Sequence, residues 1–286
     1  MIDIIAVDLD GTLLSSDSHT ISQKNRDALS KAHKDGTIIA VATGRPLQFC
    51  EHIIDDLAHI DYLIASGGAA VYEVKNSGFD IGYAKERASF TRIDDGSADF
   101  DTELPTKVYD IVNKYPILID VHANDTEYIQ RDEVGKHVAT REKIIANLFE
   151  KLTVVDDLRD ILTSSGVQKF IFHEVSVDDY ETVLRQLKEL GGLMITSSYG
   201  GLIEVTTERA TKSNALRFLA QKTGSDMAKV MAVGDSDNDI DMIEAAGIGF
   251  ATENAIDEVK DVAQFTVTTN DNSAVAEAIK IAKGIL

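Results

Sequence analysis

Apolar and polar positions alternate along this chain in two rhythms. Residues 2–7 form an apolar, β-branched run, interrupted only at Asp3, that halts at Asp8 and Gly11, the pattern of a buried strand ending in a loop. Ser22 stands where it can cap a helix whose apolar positions Ala28, Leu29 and Ala32 recur at helical spacing until Gly36. Residues 37–42 read as a second buried strand, closed by the turn Thr43-Gly44-Arg45-Pro46. Residues 47–58 place Ile53, Ile54 and Leu57 on one helical face, and 62–65 form a third strand before Ser66-Gly67-Gly68. Strand, helix, strand, helix, strand predicts a parallel sheet covered by helices.

The same rhythm returns near the end, with a helix over 213–221, a strand over 229–233, a helix over 237–246, a strand over 248–251 and an amphipathic helix over 274–285. Between the two α/β portions the regularity breaks. Residues 105–113 look helical, 117–121 and 128–131 look like strands, and 169–173 followed by 178–190 looks like strand then helix. The expected organisation is therefore a core of residues 1–84 and 195–286, with an α+β domain inserted at 85–194. Tyr72 and Tyr83 flank the expected hinge and read as packing residues.

Composition narrows the function. Of 286 residues, 28 are Lys or Arg and 48 are Asp or Glu, a formal net charge of −20. It divides as −6, −8 and −6 over residues 1–84, 85–194 and 195–286, so no acidic tail carries it. Clustered basic residues hold phosphate backbones, so this balance argues against nucleic-acid and anionic-membrane partners. No apolar run approaches the ~18 residues of a membrane helix. The first apolar run has no basic cluster before it and does not resemble a signal peptide, so a cytoplasmic protein is expected. One cysteine, Cys50, excludes an internal disulfide and a thiolate metal cluster.

Four constellations sit where the core strands end. First, Asp8-Leu9-Asp10-Gly11-Thr12-Leu13 puts two carboxylates within reach of one site once Gly11 turns the chain. Such a pair repels itself unless a cation intervenes or one member is protonated. It indicates either divalent-metal binding or a nucleophile beside a general acid; an Asp that merely caps a turn is the ordinary alternative. Second, Thr43-Gly44-Arg45 offers a hydroxyl, backbone N–H groups and a guanidinium suited to a phosphate, although such turns are common. Third, Lys212 opens a helix, where ammonium and helix N-terminus both favour an anion, although most single lysines are simply solvated. Fourth, Gly234-Asp235-Ser236-Asp237-Asn238-Asp239 gathers three carboxylates and an amide, costly without a cation, and oxygen donors select a hard one such as Mg2+. A calcium loop of the EF-hand type needs Gly sixth and Glu twelfth; counted from Asp235, those places hold Ile240 and Ala246.

Taken in this order, Asp8-Leu9-Asp10-Gly11-Thr12-Leu13-Leu14, Thr43-Gly44-Arg45-Pro46, Lys212 and Gly234-Asp235-Ser236-Asp237-Asn238-Asp239 resemble the haloacid dehalogenase superfamily of phosphotransferases. The large insertion, and the tail from Asn254-Ala255 through Val267-Thr268 to Ala274-Val275, are similar to its Cof-like branch. The resemblance implies an α/β fold, a Rossmann-like doubly wound parallel core with an inserted α+β cap that governs specificity. It implies Asp8 as the nucleophile that becomes an aspartyl phosphate and Asp10 as the general acid and base. Mg2+ would be held by Asp8, the Asp10 backbone carbonyl and Asp235. Leu9, Thr43, Gly44, Lys212 and Asn238 would hold the phosphoryl oxygens, with Ser236 and Asp239 supporting them. Arg45, Gly68 and, in the cap, Lys169 are candidates for substrate contact, as are His122 and His173.

The chain departs from the branch in three places. Gly67-Gly68 stands where Asn-Gly is usual, Ser213 follows the motif lysine in place of Gly, and Ala274-Val275 replaces Gly-Val. The first removes an amide near the substrate entrance. The expected activity is Mg2+-dependent hydrolysis of a small phosphorylated metabolite, such as a sugar phosphate or a cofactor phosphate of the pyridoxal or flavin kind. A sugar phosphomutase uses the same motifs. A non-catalytic phospho-ligand regulator of the receiver kind shares an acidic pair, a Thr and a Lys, but lacks the second acidic cluster and the insertion.

Overall fold

The computed structural model describes every residue except 1, 18–19, 55–56, 58, 76–87, 102, 137–151, 199–200 and 286. The chain opens with β1 (Ile4–Asp8), a tight turn over Leu9–Leu13, α1 (Gln23–Lys34), β2 (Ile38–Ala42), α2 (Leu47–Ile54), β3 (Tyr62–Ala65), β4 (Ala70–Lys75) and β5 (Ser89–Arg92). The insertion follows with α3 (Leu104–Val112), β6 (Leu118–Ala123), β7 (Thr126–Gln130), β8 (Thr153–Val155), α4 (Arg159–Leu162), β9 (Val167–His173), α5 (Val177–Leu190), β10 (Leu193–Ser198) and β11 (Leu202–Thr207). The chain ends with α6 (Lys212–Thr223), β12 (Val230–Gly234), α7 (Ile240–Ala245), β13 (Ile248–Thr252), α8 (Asp257–Val262), β14 (Phe265–Val267) and α9 (Ala274–Ile285).

Two compact units result: Met1–Gly44, Cys50–Asp94 and Thr211–Leu286 form the first, Arg45–Phe49 and Asp95–Ala210 the second. The first is built on a sheet ordered β14-β13-β12-β1-β2-β3-β4-β5. Pairing from β14 through β3 is parallel. Its central strands are apolar runs buried along their length, as a sheet covered on both faces requires. One face presents the small side chains Ala6, Ala40, Ala42, Ala232 and Ala251, which lets Leu216 and Leu219 of α6 and Met242 and Ile243 of α7 pack closely. Ser22 caps α1 by accepting from the Asn25 N–H.

The parallel pattern stops at β3. Ser66, Gly67 and Gly68 take φ values of 49°, 70° and 105° in succession. That reverses the chain within a few residues, leaving no length for a crossover helix, so β4 and β5 add as antiparallel edge strands. The helix expected over 237–246 is instead a 3-10 turn, Asp237–Asp239, followed by α7.

The second unit is a six-stranded sheet ordered β10-β11-β9-β6-β7-β8. Val108 and Val112 of α3 and Val183 and Leu187 of α5 pack on Ile119, Val121, Phe170, Phe172, Ile203 and Val205. The expected limit at 84/85 falls outside the described residues, as does Tyr83, while Tyr72 is buried on β4. The limit expected at 194/195 is displaced to 210/211, because β11 is hydrogen-bonded to both β10 and β9 and so belongs to the inserted sheet. Among the described residues no helix is long and apolar enough to cross a membrane.

Candidate active site

Strand β1 lies between β2 and β12, so chain order reverses across the β1–β12 pair. Open parallel sheets bind ligands beyond the strand ends at such a reversal, where two successive loops splay apart. Asp8 ends β1, and Gly234 ends β12 ahead of Asp235. Past Asp8, Asp10 (φ −83°, ψ 120°) and Gly11 (φ 78°, ψ −3°) take type II turn angles, which favour Gly at the second place. A Cβ on Gly11 would also collide with the Asp235 carboxylate, so this glycine allows the two acidic loops to meet. Thr12 Oγ1 donates to Asp235 Oδ1 at 2.7 Å and joins them directly.

Lys212 sits at the first turn of α6 and is only 1% exposed. Its Nζ donates to Asp8 Oδ1 at 2.7 Å and to Asp239 Oδ1 at 2.6 Å. Burial opposes its charge, but the two carboxylates outweigh burial and hold the ammonium well above its ordinary pKa. The other Asp239 oxygen accepts from the backbone N–H groups of Asp235 (3.0 Å) and Ser236 (3.1 Å), which closes the loop over the start of its 3-10 turn. Asp8 is pushed up well above the carboxylate range, chiefly by burial and then by Asp239, Asp235 and Asp10, against the opposing pull of Lys212. Asp235 is pushed up to about 7, again by burial first and Asp239 second, with the Thr12 hydrogen bond opposing.

Asp8, Asp235 and Asp239 each present a carboxylate oxygen within 4.8 Å of the others. Asp239 is already committed to Lys212 and to two backbone amides. Asp8, which accepts from Lys212, and Asp235, which accepts from Thr12, are the facing carboxylates, and burial with the neighbouring carboxylates raises both pKa values in spite of Lys212. An all-oxygen, net negative donor set fits a hard divalent cation.

Other residues singled out in the sequence divide into two groups. Thr43 is fully buried at the end of β2; its N–H donates to the Ile64 carbonyl at 2.8 Å and its carbonyl accepts from Gly67 N–H at 2.9 Å, tying the β2 and β3 loops together. Gly44 and Arg45 follow, both half-buried. Gly68 packs against the Thr211 carbonyl, where a Cβ would collide, so it admits the start of α6 that carries Lys212. Leu9 is buried, and Asn238 Oδ1 accepts from Ser236 Oγ at 3.1 Å.

Lys169, His122 and His173 belong to the second unit. Lys169 is buried against Glu204 at 2.6 Å, His122 lies 3.3 Å from Glu127, and His173 lies 2.7 Å from Asp120. Strand alternation puts these pairs on the face opposite the apolar core of that sheet. The reading by motif passed over Thr12; its signal was a hydroxyl directly after the glycine of the first acidic turn.

The sequence profile of the haloacid dehalogenase-like hydrolases matches residues 5–279. The 5-amino-6-(5-phospho-D-ribitylamino)uracil phosphatase YcsE of Bacillus subtilis (strain 168) is 30% identical over 279 residues, covering 98% of this chain and 95% of its own. Phosphatase YwpJ of the same organism is 28% identical over 289 residues, covering 97% and 98%. BT1666 of Bacteroides thetaiotaomicron, a phosphatase of the haloalkanoate enzyme superfamily, superposes with a TM-score of 0.79 at 27% identity, covering 100% of this chain and 96% of that one. With its acidic strand-end loops and buried lysine arranged on this fold, the chain belongs to the haloacid dehalogenase-like hydrolase family.

Proposed function

We propose that the protein is a Mg2+-dependent phosphatase that hydrolyses small phosphorylated metabolites through an aspartyl phosphate on Asp8. The observation that carries this reading is Asp8 itself: a buried carboxylate at a strand end, hydrogen-bonded to a buried lysine and facing a second acidic loop. In the first step a carboxylate oxygen of Asp8 attacks phosphorus while Asp10 gives its proton to the departing ester oxygen, which breaks the P–O bond and releases the alcohol. In the second, Asp10 takes a proton from a water that attacks the same phosphorus, which breaks the bond to Asp8 and releases inorganic phosphate. Splitting hydrolysis in this way replaces one hard displacement by two easier ones.

Lys212, already beside the Asp8 oxygen, places positive charge next to the incoming phosphoryl group, and Asp239 keeps it there. Thr43, the Gly44 amide and Asn238 are the remaining phosphoryl contacts in this reading. Mg2+ would be held by Asp8, Asp235 and the Asp10 carbonyl, and would supply neutralisation of phosphoryl charge that a protein of net charge −20 must otherwise provide. The second unit would act as the cap that selects the organic portion. Several relatives are named for a phosphorylated ribitylamino-uracil, which makes that compound, with sugar and cofactor phosphates, the first class to assay. The test is phosphate release across such a panel with Mg2+ and with EDTA. Asp8→Asn should lower kcat by at least ~10⁴-fold with the fold intact; retained turnover would remove Asp8 as nucleophile, and EDTA-resistant turnover would remove the metal.

A further inference from the structure

The segment that follows β13 touches both acidic loops. Asn254 Nδ2 donates to the Gly11 carbonyl at 2.8 Å, and two residues later Ile256 N–H donates to the Asp235 carbonyl at 3.0 Å. Asn254 is itself held from behind, its Oδ1 accepting from the Asn270 N–H at 3.0 Å. Asn270 then reaches the far end of the first loop, donating from Nδ2 to the Leu14 carbonyl at 2.8 Å and to Ser16 Oγ at 3.1 Å. A short stretch of chain thus clamps the acidic turn of β1 and the acidic loop of β12 to one support.

What the clamp grips is the permissive point of the turn. Before Asp10 the chain is fixed by the β1 ladder and by Leu9, whose carbonyl accepts from Leu14 N–H at 2.9 Å. After Asp10 comes Gly11 at φ 78°, a residue with access to many backbone conformations. The Gly11–Thr12 peptide is held on its carbonyl side by Asn254, and the Thr12 hydroxyl is held by Asp235. Asp10 lies between these anchored points. Because Asn254 is pinned at its acceptor end, its donor is preorganised and the bond costs little ordering when formed.

We infer that Asn254 is a positioning residue for Asp10: by holding the Gly11 carbonyl it keeps the general acid and base at a fixed place beside Asp8. Its role rests on the roles proposed above for Asp8 and Asp10. A displacement of about 1 Å in a reacting group can cost ~10²-fold in rate, and the loss should fall on the proton-transfer steps that Asp10 serves. Formation of the aspartyl phosphate from an ester with a good leaving group needs no proton donor, whereas attack of water on that intermediate needs a base.

The experiment is rapid mixing of the full-length, Mg2+-loaded protein with p-nitrophenyl phosphate, comparing the unaltered chain, Asn254→Ala and Asn254→Asp. The Asp variant retains an acceptor for the Asn270 N–H while removing the donor to Gly11, so it separates the proposed role from general support of the fold; thermal unfolding checks both. The expected result in each variant is a first-turnover burst of p-nitrophenol at the unaltered rate, approaching one equivalent per chain, then a steady state roughly 10- to 100-fold slower. Burst and steady state slowing together, a steady state within about twofold of the unaltered chain, or loss of the fold in both variants would each overturn the assignment. No p-nitrophenol from the unaltered chain, in burst or steady state, would overturn the phosphatase reading along with it.

Discussion

Two lysines, one in each unit, are buried to the same degree and answer to different demands. Lys212 and Lys169 are each 1% exposed, and each has a carboxylate oxygen 2.6 Å from its Nζ. Around Lys212, however, Asp239, Asp235 and Asp10 all act on Asp8, and Asp239 and Asp10 act on Asp235, so carboxyl groups crowd one another beside the ammonium. In the second unit Lys169 meets Glu204, His122 meets Glu127 and His173 meets Asp120, so each of these bases has an acid beside it. Burying charge is tolerated when it is paired, and the second unit meets that condition from its own side chains. The first unit does not, and its surplus of negative charge is what a divalent cation and a phosphoryl-transfer site would use.

The sharpest test of this contrast exchanges each ammonium for an isosteric apolar group. Lys212→Met should lower kcat by about 10²- to 10³-fold, by removing a charge from the reacting oxygens, and should destabilise the cation-free protein by about 3–5 kcal/mol, since two buried carboxylates lose their partner. Lys169→Met should change kcat by less than about threefold and cost about 1–2 kcal/mol, because the Glu204 side chain is 22% exposed and water can replace the lysine. Steady-state kinetics and denaturant titration of both variants decide it. Equal losses at the two sites would break the comparison.

A smaller effect should come from Gly68→Ala. At φ 105° an alanine is strained, and its Cβ would meet the Thr211 carbonyl just ahead of Lys212. A cost of about 1–3 kcal/mol and roughly tenfold in kcat is expected from displacement of the start of α6. Unchanged kinetics would show that Lys212 is placed by its carboxylates alone and not by the β3 loop.

The smallest effect is one of pH. In the folded, cation-free protein Asp235 keeps its proton up to about pH 7, against an ordinary value of 3.8. Between those values the folded state binds more protons than the unfolded chain, so stability falls as pH rises from about 4 to about 7 and levels off above. In EDTA the thermal midpoint should therefore drop by a few degrees over that range beyond the drop shown by Asp235→Asn, and excess Mg2+ should abolish the difference. Parallel slopes in EDTA, in Mg2+ and in the variant would detach Asp235 from the cation site.

Much of the first unit was legible because its rules are local. The apolar run before Asp8, the Ser22 cap and the helix over 274–285 are set by side chains a few residues apart, and the structure places an element at each. The crowding of Asp8, Asp10, Asp235 and Asp239 was legible for the same reason, since acidic residues gathered at strand ends carry an electrostatic cost wherever they occur. Less local features were not. The reversal at Ser66-Gly67-Gly68 depends on three successive positive φ values, and the assignment of β10 and β11 depends on which sheet offers them a hydrogen-bonding edge.

By itself, then, the sequence determined the α/β rhythm, the acidic and basic residue types at the strand ends and the negative balance of the chain. Tertiary structure decided which of those residues meet. Lys212 lies 204 positions from Asp8, and Asn254 lies 243 from Gly11; such contacts arise when β1 and β12 pair side by side, because the parallel ladder brings the carboxyl ends of strands remote in sequence to one edge.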